Sequence, residues 1–533
     1  MQPTSSSSSE SPTKGRTLLL NLTRFGDLLQ TQPVISGLHR AGQDVGLVCL
    51  ANFASATCLL NHLGFVRDFP GADFLTRLDK DWRDAVLSLA CWARGAQADF
   101  TPQAIANLTA SRSARLLASL LNASANEPAR LEGFYLDPYG FGASSNPWAS
   151  FLLASSQNRG CSPFNLVDLF WKTNGLPDEE RGFELRRPER SPKLDALFEP
   201  LRGAPAVAFQ LGASENRRRW PVASFAALGA QLKERLGLTP VLLGSSSEQE
   251  LGQRYAEAGG PGLDLIGKTS LTELADALLR CERLVTNDTG TMHLAAGLDV
   301  PVLAIFLCTA QPWDTGPYKA GALCLEPDLA CHPCPFGRPC PHGEQCRRAI
   351  TPELVFELIR AQRDSHAPTL PPGARVWRTR VEDAHFMGLE SLSGHEREDR
   401  TQWVRLQRHV YRHFLDQRPV PAAPFDSRLS PEFRQALVQA LDQSGKMLGL
   451  LAEQGRVLAH TPLPPLKKKF MATWQRLQSL WDQTPPLSVL GLLWITQSQD
   501  AAGDMRQIAR LIERYSLLAA ALQEQCSAGA SLA

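Results

Sequence analysis

Thr17-Leu-Leu-Leu-Asn-Leu22 is a short apolar run of buried-strand character. A polar turn, Arg24-Phe-Gly-Asp27, ends it, and helical spacing takes over at Leu28. Val45 to Leu50 and Gln103 to Leu108 repeat the pattern, each followed by helix-like sequence. Such alternation predicts a parallel sheet with helices on both faces. From Phe134 to Gly160 glycines, aromatics and polar residues break the rhythm, which predicts loops and short helices over a cleft. Leu185 to Pro205, rich in proline and arginine, reads as an interdomain connection. The alternation then restarts, with strands expected at Ala206–Gln210, Val241–Gly244, Leu263–Ile266, Leu284–Thr286 and Val302–Phe306. Helices are expected at Ala223–Leu236 and Leu271–Arg280. Thr351-Pro-Glu-Leu opens a capped helix that runs to about Arg363. A proline-rich stretch, Ala367 to Ala374, marks a boundary. From Val376 to Glu524 the chain reads as helix almost throughout, and Leu466, Phe470, Trp474, Leu477 and Trp481 share one helical face.

The units so drawn are a disordered tail over 1–15, an α/β domain over 16–190, a second over 203–363, and a helical domain of unassigned role over 376–526. A length of 533 residues suits three domains. The formal net charge of +1 gives no basis for binding a polyanion over the whole surface, so nucleic acid is not expected as a partner and phosphate recognition must be local. The serine-rich start lacks the apolar core of a signal peptide. The run Leu487–Ile495 is far short of the ~20 residues that span a bilayer. A cytoplasmic protein is expected, with contact to the inner membrane surface as an option. Its twelve cysteines should then be mostly reduced. Cys49, Cys58, Cys91, Cys281 and Cys308, in apolar surroundings, read as core residues.

Two α/β units joined by a linker place a ligand in the crevice at the carboxyl ends of their strands. Three segments fall at such ends. In Arg24-Phe-Gly-Asp27 the carboxylate either caps the following helix or faces the cleft as a general base. Phe209 to Trp220 is a strand, a glycine turn, a hydroxyl at Ser214 and three arginines. Such a turn suits a pyrophosphate, although Arg217 and Arg219 read individually as solvated charges. Leu284 to Ala296 is a strand, a small polar turn and a helix starting near Thr291, whose N-terminal N–H groups and dipole can hold a diphosphate.

Taken together, these segments resemble the heptosyltransferase family, glycosyltransferases of the two-domain GT-B fold, over about Thr17 to Arg363. The resemblance rests on Arg24-Phe-Gly-Asp-Leu-Leu-Gln-Thr-Gln-Pro33, Gly212-Ala-Ser214 with Arg218 and Trp220, Gly244 with Glu248, and Asn287-Asp-Thr-Gly-Thr-Met-His-Leu-Ala-Ala296. Pro301-Val and Thr315-Gly-Pro-Tyr318 continue it. It implies two Rossmann-like, doubly wound domains facing a cleft, here with an added α-helical C-terminal domain. It also implies inverting transfer of heptose from ADP-heptose to an inner-core lipopolysaccharide sugar, with Asp27 as base. Asp288, Thr289, Gly290, Thr291 and His293 match the donor-binding turn, Ser214 a diphosphate contact and Glu248 a ribose contact. Arg218 stands where many members have lysine, so it offers a planar fork in place of a point charge. No Asp-x-Asp pair sits at a suitable strand end, in keeping with metal-independent catalysis that requires no cofactor.

Cys331, Cys334, Cys340 and Cys346, with His332 and His342 between them, have the density of a knuckle that holds structural zinc or iron. A similar segment in several heptosyltransferases leaves a plain family loop as the other reading. Two further functions stay open: transfer to another glycan or a protein side chain, and a non-catalytic envelope scaffold whose helical domain recruits a partner. The helical region should be separable after Arg363. Ordinary helical packing is the plain reading of its aromatic stripe; burial against the catalytic domains, a second subunit or, with Lys467-Lys-Lys469 beside it, a membrane surface is the other.

Overall fold

A strand covered on both faces must be apolar along its length, which is why the central strands read as continuous runs. The protein is described by a computed structural model covering residues 15–125, 127–157, 162–368, 370–421, 425–501 and 504–528. The expected tail lies outside the described residues apart from Gly15. The N-terminal unit is a six-stranded sheet of β1 (Arg16–Asn21), β2 (Asp44–Leu50), β3 (Leu63–Phe69), β4 (Ala104–Asn107), β5 (Arg130–Leu136) and β6 (Gly142–Ser144). Its order is β3-β2-β1-β4-β5-β6, parallel except for β6. The second sheet holds β7 (Ala206–Gln210), β8 (Thr239–Leu243), β9 (Leu263–Asp264), β10 (Arg283–Asn287), β11 (Val302–Ile305), β12 (Leu323–Pro327), β13 (Ala374–Val381) and β14 (Met387–Ser391). Its order is β14-β13-β12-β11-β10-β7-β8-β9, and only β13 runs against the others, so the pairs β12–β13 and β13–β14 are antiparallel. Two parallel-dominated sheets followed by helices form the GT-B arrangement that the resemblance implies.

Two expectations are corrected. Residues 374–391 are not helical: they form a hairpin that extends the second sheet, pairing Leu325 with Val376 and Thr379 with Leu389. Helix begins only at Asp399–Leu415. The buried Glu326 of β12 accepts from Trp377 Nε1 at 3.1 Å and from Arg400 Nη1 at 2.6 Å, so strand, hairpin and first helix share one polar core. A cut after Arg363 therefore divides a sheet. The stretch after Phe134, expected as loops and short helices, also holds the edge strand Gly142–Ser144. It contains the helix Pro147–Gln157, whose Trp148 and Phe151 are buried.

The aromatic stripe takes its plain reading, ordinary helical packing. It lies within helix Pro464–Gln483 and faces inward: Phe470, Leu477 and Trp481 are buried, Trp481 Nε1 donates to Ser444 Oγ at 2.9 Å, and Trp474 meets Trp494 at 4.3 Å between centroids. The stripe thus packs on the helices Pro431–His460, Ser488–Asp500 and Met505–Ala528. Among the described residues no helix is long and apolar enough to cross one.

The helical region rides on the N-terminal unit. Trp148 Nε1 donates to Asp416 Oδ1 at 2.8 Å and Ser150 Oγ to Asp500 Oδ2 at 3.2 Å. The two sheets are joined as firmly. Linker residue Leu185 donates its N–H to Gly297, and Arg186 donates to Leu59. Asp168 and Arg181, both fully buried, pair in the junction, where Tyr318 and the N–H of Met387 also bond to Asp168.

Candidate active site

Four of the inner strands end in a buried amide, and those amides shape the loops that follow. Asn21 closes β1, Asn107 β4, Gln210 β7 and Asn287 β10. Asn21 Nδ2 donates to the carbonyl of Asp27 at 3.1 Å and fixes the turn into the helix Phe25–Leu29. Asp27 lies in the first turn of that helix, whose N-cap residue is Arg24; it is not the capping residue. Asn287 Nδ2 donates to the carbonyls of Leu211 and Gly212 at 2.9 and 3.1 Å, while its Oδ1 accepts from Trp220 N at 2.8 Å. One side chain thus locks the turn after β7 to the turn after β10.

Two glycines bring the halves together. A Cβ built on Gly26 would lie 3.0 Å from both Gly290 Cα and His293 Cδ2, and one on Gly290 would lie 2.5 Å from the Phe25 ring. The absence of side chains at both positions lets the Asp27 helix meet the start of helix Gly290–Gly297 backbone to backbone. The helix carrying Asp27 and the turn carrying Asp288, Thr289, Thr291 and His293, far apart in sequence, therefore meet. Thr289 is the N-cap of the second helix and makes no side-chain capping bond to it.

Ser214, Arg218 and Glu248 close the other side. Arg218 Nη1 donates to Ser214 Oγ at 3.2 Å, and its Nη2 pairs with Asp288 in a nearly buried contact. Glu248 is half-buried. Its Oε2 caps Ser245 N at 2.7 Å, whereas Oε1 packs on Gly212 so closely that a Cβ there would land 1.4 Å away. Gln210, which sequence reasoning passed over, links Thr291 Oγ1 at 3.1 Å to Glu248 at 3.4 Å. Its signal, a polar residue closing an apolar strand, was present at all four strand ends. Arg217 and Arg219 are held internally, by Glu215 and the Arg338 carbonyl and by the Ala213 carbonyl.

The cysteines form a looser group. Cys308 donates or accepts a thiol contact with Cys334, and its carbonyl accepts from Cys334 N at 2.8 Å, so this residue belongs with the cluster and not simply with the core. Cys58 and Cys91, also expected in the core, are exposed. Burial and the neighbouring thiols push Cys334 up to about 12. Tetrahedral sulfur ligands at about 2.3 Å from a metal stand about 3.8 Å from one another. Among the described residues no three cysteine sulfurs come within 4.8 Å; the group that does is Asp328, His395 and Glu398. There Arg375 already pairs with Asp328 and Glu398, both at 2.9 Å, which supplies the cation that those carboxylates need. Cys331, Cys334, Cys340 and Cys346 as placed do not make a preassembled zinc or iron site.

Residues 165–344 match the family model of glycosyltransferase family 9 (heptosyltransferase). The chain is 36% identical over 132 residues to lipopolysaccharide heptosyltransferase 1 of Pseudomonas aeruginosa, covering 25% of this chain and 37% of the relative. It is 30% identical over 163 residues to lipopolysaccharide heptosyltransferase 2 of Escherichia coli, covering 30% of this chain and 46% of the relative. The chain thus spans less than half the length of each of these curated relatives. The solved structure of E. coli ADP-heptose lps heptosyltransferase II superposes with a TM-score of 0.44 at 19% identity, over 66% of this chain and 99% of that one. The matched stretch, residues 165–344, holds the turn Asp288–His293 and its helix, and it is through this stretch that the chain is similar to glycosyltransferase family 9, the heptosyltransferases.

Proposed function

We propose that the protein transfers heptose from ADP-heptose to an inner-core lipopolysaccharide sugar, with inversion, on the cytoplasmic side of the membrane. The observation that carries this reading is the backbone contact of Gly26 with Gly290, which sets Asp27 beside the donor turn. Asp27 takes the proton of an acceptor hydroxyl as its oxygen attacks the anomeric carbon. The bond to the diphosphate breaks on the opposite face, and its electron pair leaves with ADP. The N-terminus of helix Gly290–Gly297, Ser214 and Arg218 meet the charge that grows on the leaving group. Asp288 holds the Arg218 fork over the turn until the diphosphate competes for it. Glu248, with Gln210 behind it, is placed to accept from the ribose hydroxyls. No step is routed through a metal.

The test is ADP release and acceptor mass gain on incubating the full chain with ADP-heptose and heptose-deficient lipopolysaccharide core. Asp27→Asn is expected to lower kcat by about 10²–10⁴-fold, the range of general base catalysis, with ADP affinity changed only a few-fold. Near-normal turnover in that variant would remove Asp27 from the role.

A further inference from the structure

The carboxyl ends of β4 and β5 lead into a cavity of about 510 Å³, and β4 pairs with β1, which leads into the Asp27 turn. The two are neighbours through strand pairing: Leu22 N donates to Thr109 Oγ1 at 2.9 Å, one residue before Ala110 of the cavity lining. The floor comes from the segments after β4 and β5. The opposite wall is Thr496, Gln499 and Asp500 of helix Ser488–Asp500, which lies outside the stretch matched to the family. The cavity is preformed. Buried Arg115 donates to the carbonyls of Ala110, Tyr135 and Ala143 at 3.1, 3.0 and 2.5 Å and so fixes the turn that carries Phe141.

Its chemistry is that of a sugar site. Phe141 and Leu116 are 66% and 52% exposed, an apolar surface that nothing in the fold covers among the described residues. Facing them are the carboxylate of Asp500 and the amide of Gln499, which can bond hydroxyl pairs, while Arg112 is exposed at the rim for an acidic substituent. An aromatic plane opposite polar acceptors suits the C–H face and hydroxyl edge of a pyranose. A hydrophobic partner protein would leave the Asp500 carboxylate facing apolar surface.

We propose that this cavity is the acceptor subsite and that the C-terminal helical region builds one wall of it, Asp500 and Gln499 reading acceptor hydroxyls while Phe141 stacks on the ring. The inference rests on the glycosyltransferase reading above and assigns the helical region a part in acceptor choice. Ser150 holds the Asp500 carboxylate from the N-terminal unit, so the wall is fixed to the floor that it faces.

The full chain is titrated with de-acylated, heptose-deficient core oligosaccharide by saturation-transfer NMR, and with ADP by calorimetry. Phe141→Ala, Gln499→Ala and Asp500→Asn are each expected to weaken oligosaccharide binding about five- to tenfold, with ADP affinity within about twofold and no loss of Tm. Oligosaccharide affinity unchanged in all three, or no binding by the wild type, overturns the proposal. Binding lost in the variants supports it even where ADP-heptose is not consumed, and that last outcome would instead overturn the donor assignment.

Discussion

Replacing Gly26 by alanine tests whether the approach of the two halves sets the rate. The new Cβ would stand 3.0 Å from Gly290 Cα and from His293 Cδ2, against an optimum of about 3.5–4.0 Å between carbons. The shortfall is about 0.5–1 Å against a backbone atom and a buried ring, neither of which can swing aside. Relief has to come from the helix Phe25–Leu29 backing away from helix Gly290–Gly297, which moves Asp27 from the donor by a similar distance. A misplacement of about 1 Å costs roughly 10²-fold in rate, so kcat should fall about 10- to 100-fold, equal to about 1.4–2.7 kcal/mol. Global stability moves little, because alanine in a helix gains up to about 1 kcal/mol over glycine and offsets part of the strain. The assay is steady-state ADP release from ADP-heptose, with Tm and ADP titration as controls. Turnover within threefold of wild type in a folded variant would show that the glycine contact does not control the chemistry. Lost ADP binding with an intact Tm would show instead that the donor turn, not the base, is what yields.

Arg218→Ala should weaken ADP binding and lower Tm, because Asp288, 8% exposed, loses its partner at a cost of up to about 3–5 kcal/mol; unchanged calorimetry and melting refute this. A chain ending at Arg363 should be insoluble or fail to bind ADP, since it strips β13 from β12 and leaves buried Glu326 without Arg400; a soluble, ADP-binding fragment refutes this. Burial raises the Asp500 carboxyl to about 6 from 3.8, so its folded pKa exceeds the unfolded one. The resulting stability is full below about pH 4 and lost as pH rises through about 6. Asp500→Asn should therefore melt higher than wild type at pH 8, by an amount on the order of 1–3 kcal/mol, and the gap should close near pH 4. A gap independent of pH would refute the assignment.

Much of the fold was readable from the order of residues, and the errors have particular causes. β1, β2, β4, β7, β8, β10 and β11 lie close to where the apolar runs place them, since a strand covered on both faces leaves no polar position to blur its ends. β3 alternates half-buried and exposed positions at the sheet edge, and no uninterrupted apolar run marks it. The hairpin of β13 and β14 was read as helix because Arg378, Arg380 and Val381 face solvent while their neighbours pair with β12. Its strandedness comes from a partner some fifty residues away and leaves little local mark. Cys308 is buried as its apolar neighbours indicate, but its backbone bond with Cys334 depends on where the later loop returns.

By itself the sequence determined the paired α/β architecture and marked the polar turn at the end of Leu284–Thr286 as a candidate site. Strand periodicity and the glycine, hydroxyl and charge pattern at strand ends are local properties, written in consecutive positions. Only the tertiary structure decided what those residues touch. It set Gly26 against Gly290, engaged Arg218 with Asp288, placed Gln210 between Thr291 and Glu248, and laid the C-terminal helices on the N-terminal unit. The physical reason is that each of these contacts joins segments dozens to hundreds of residues apart. Their geometry is set by how whole sheets and helices pack, and no single stretch of the chain encodes it.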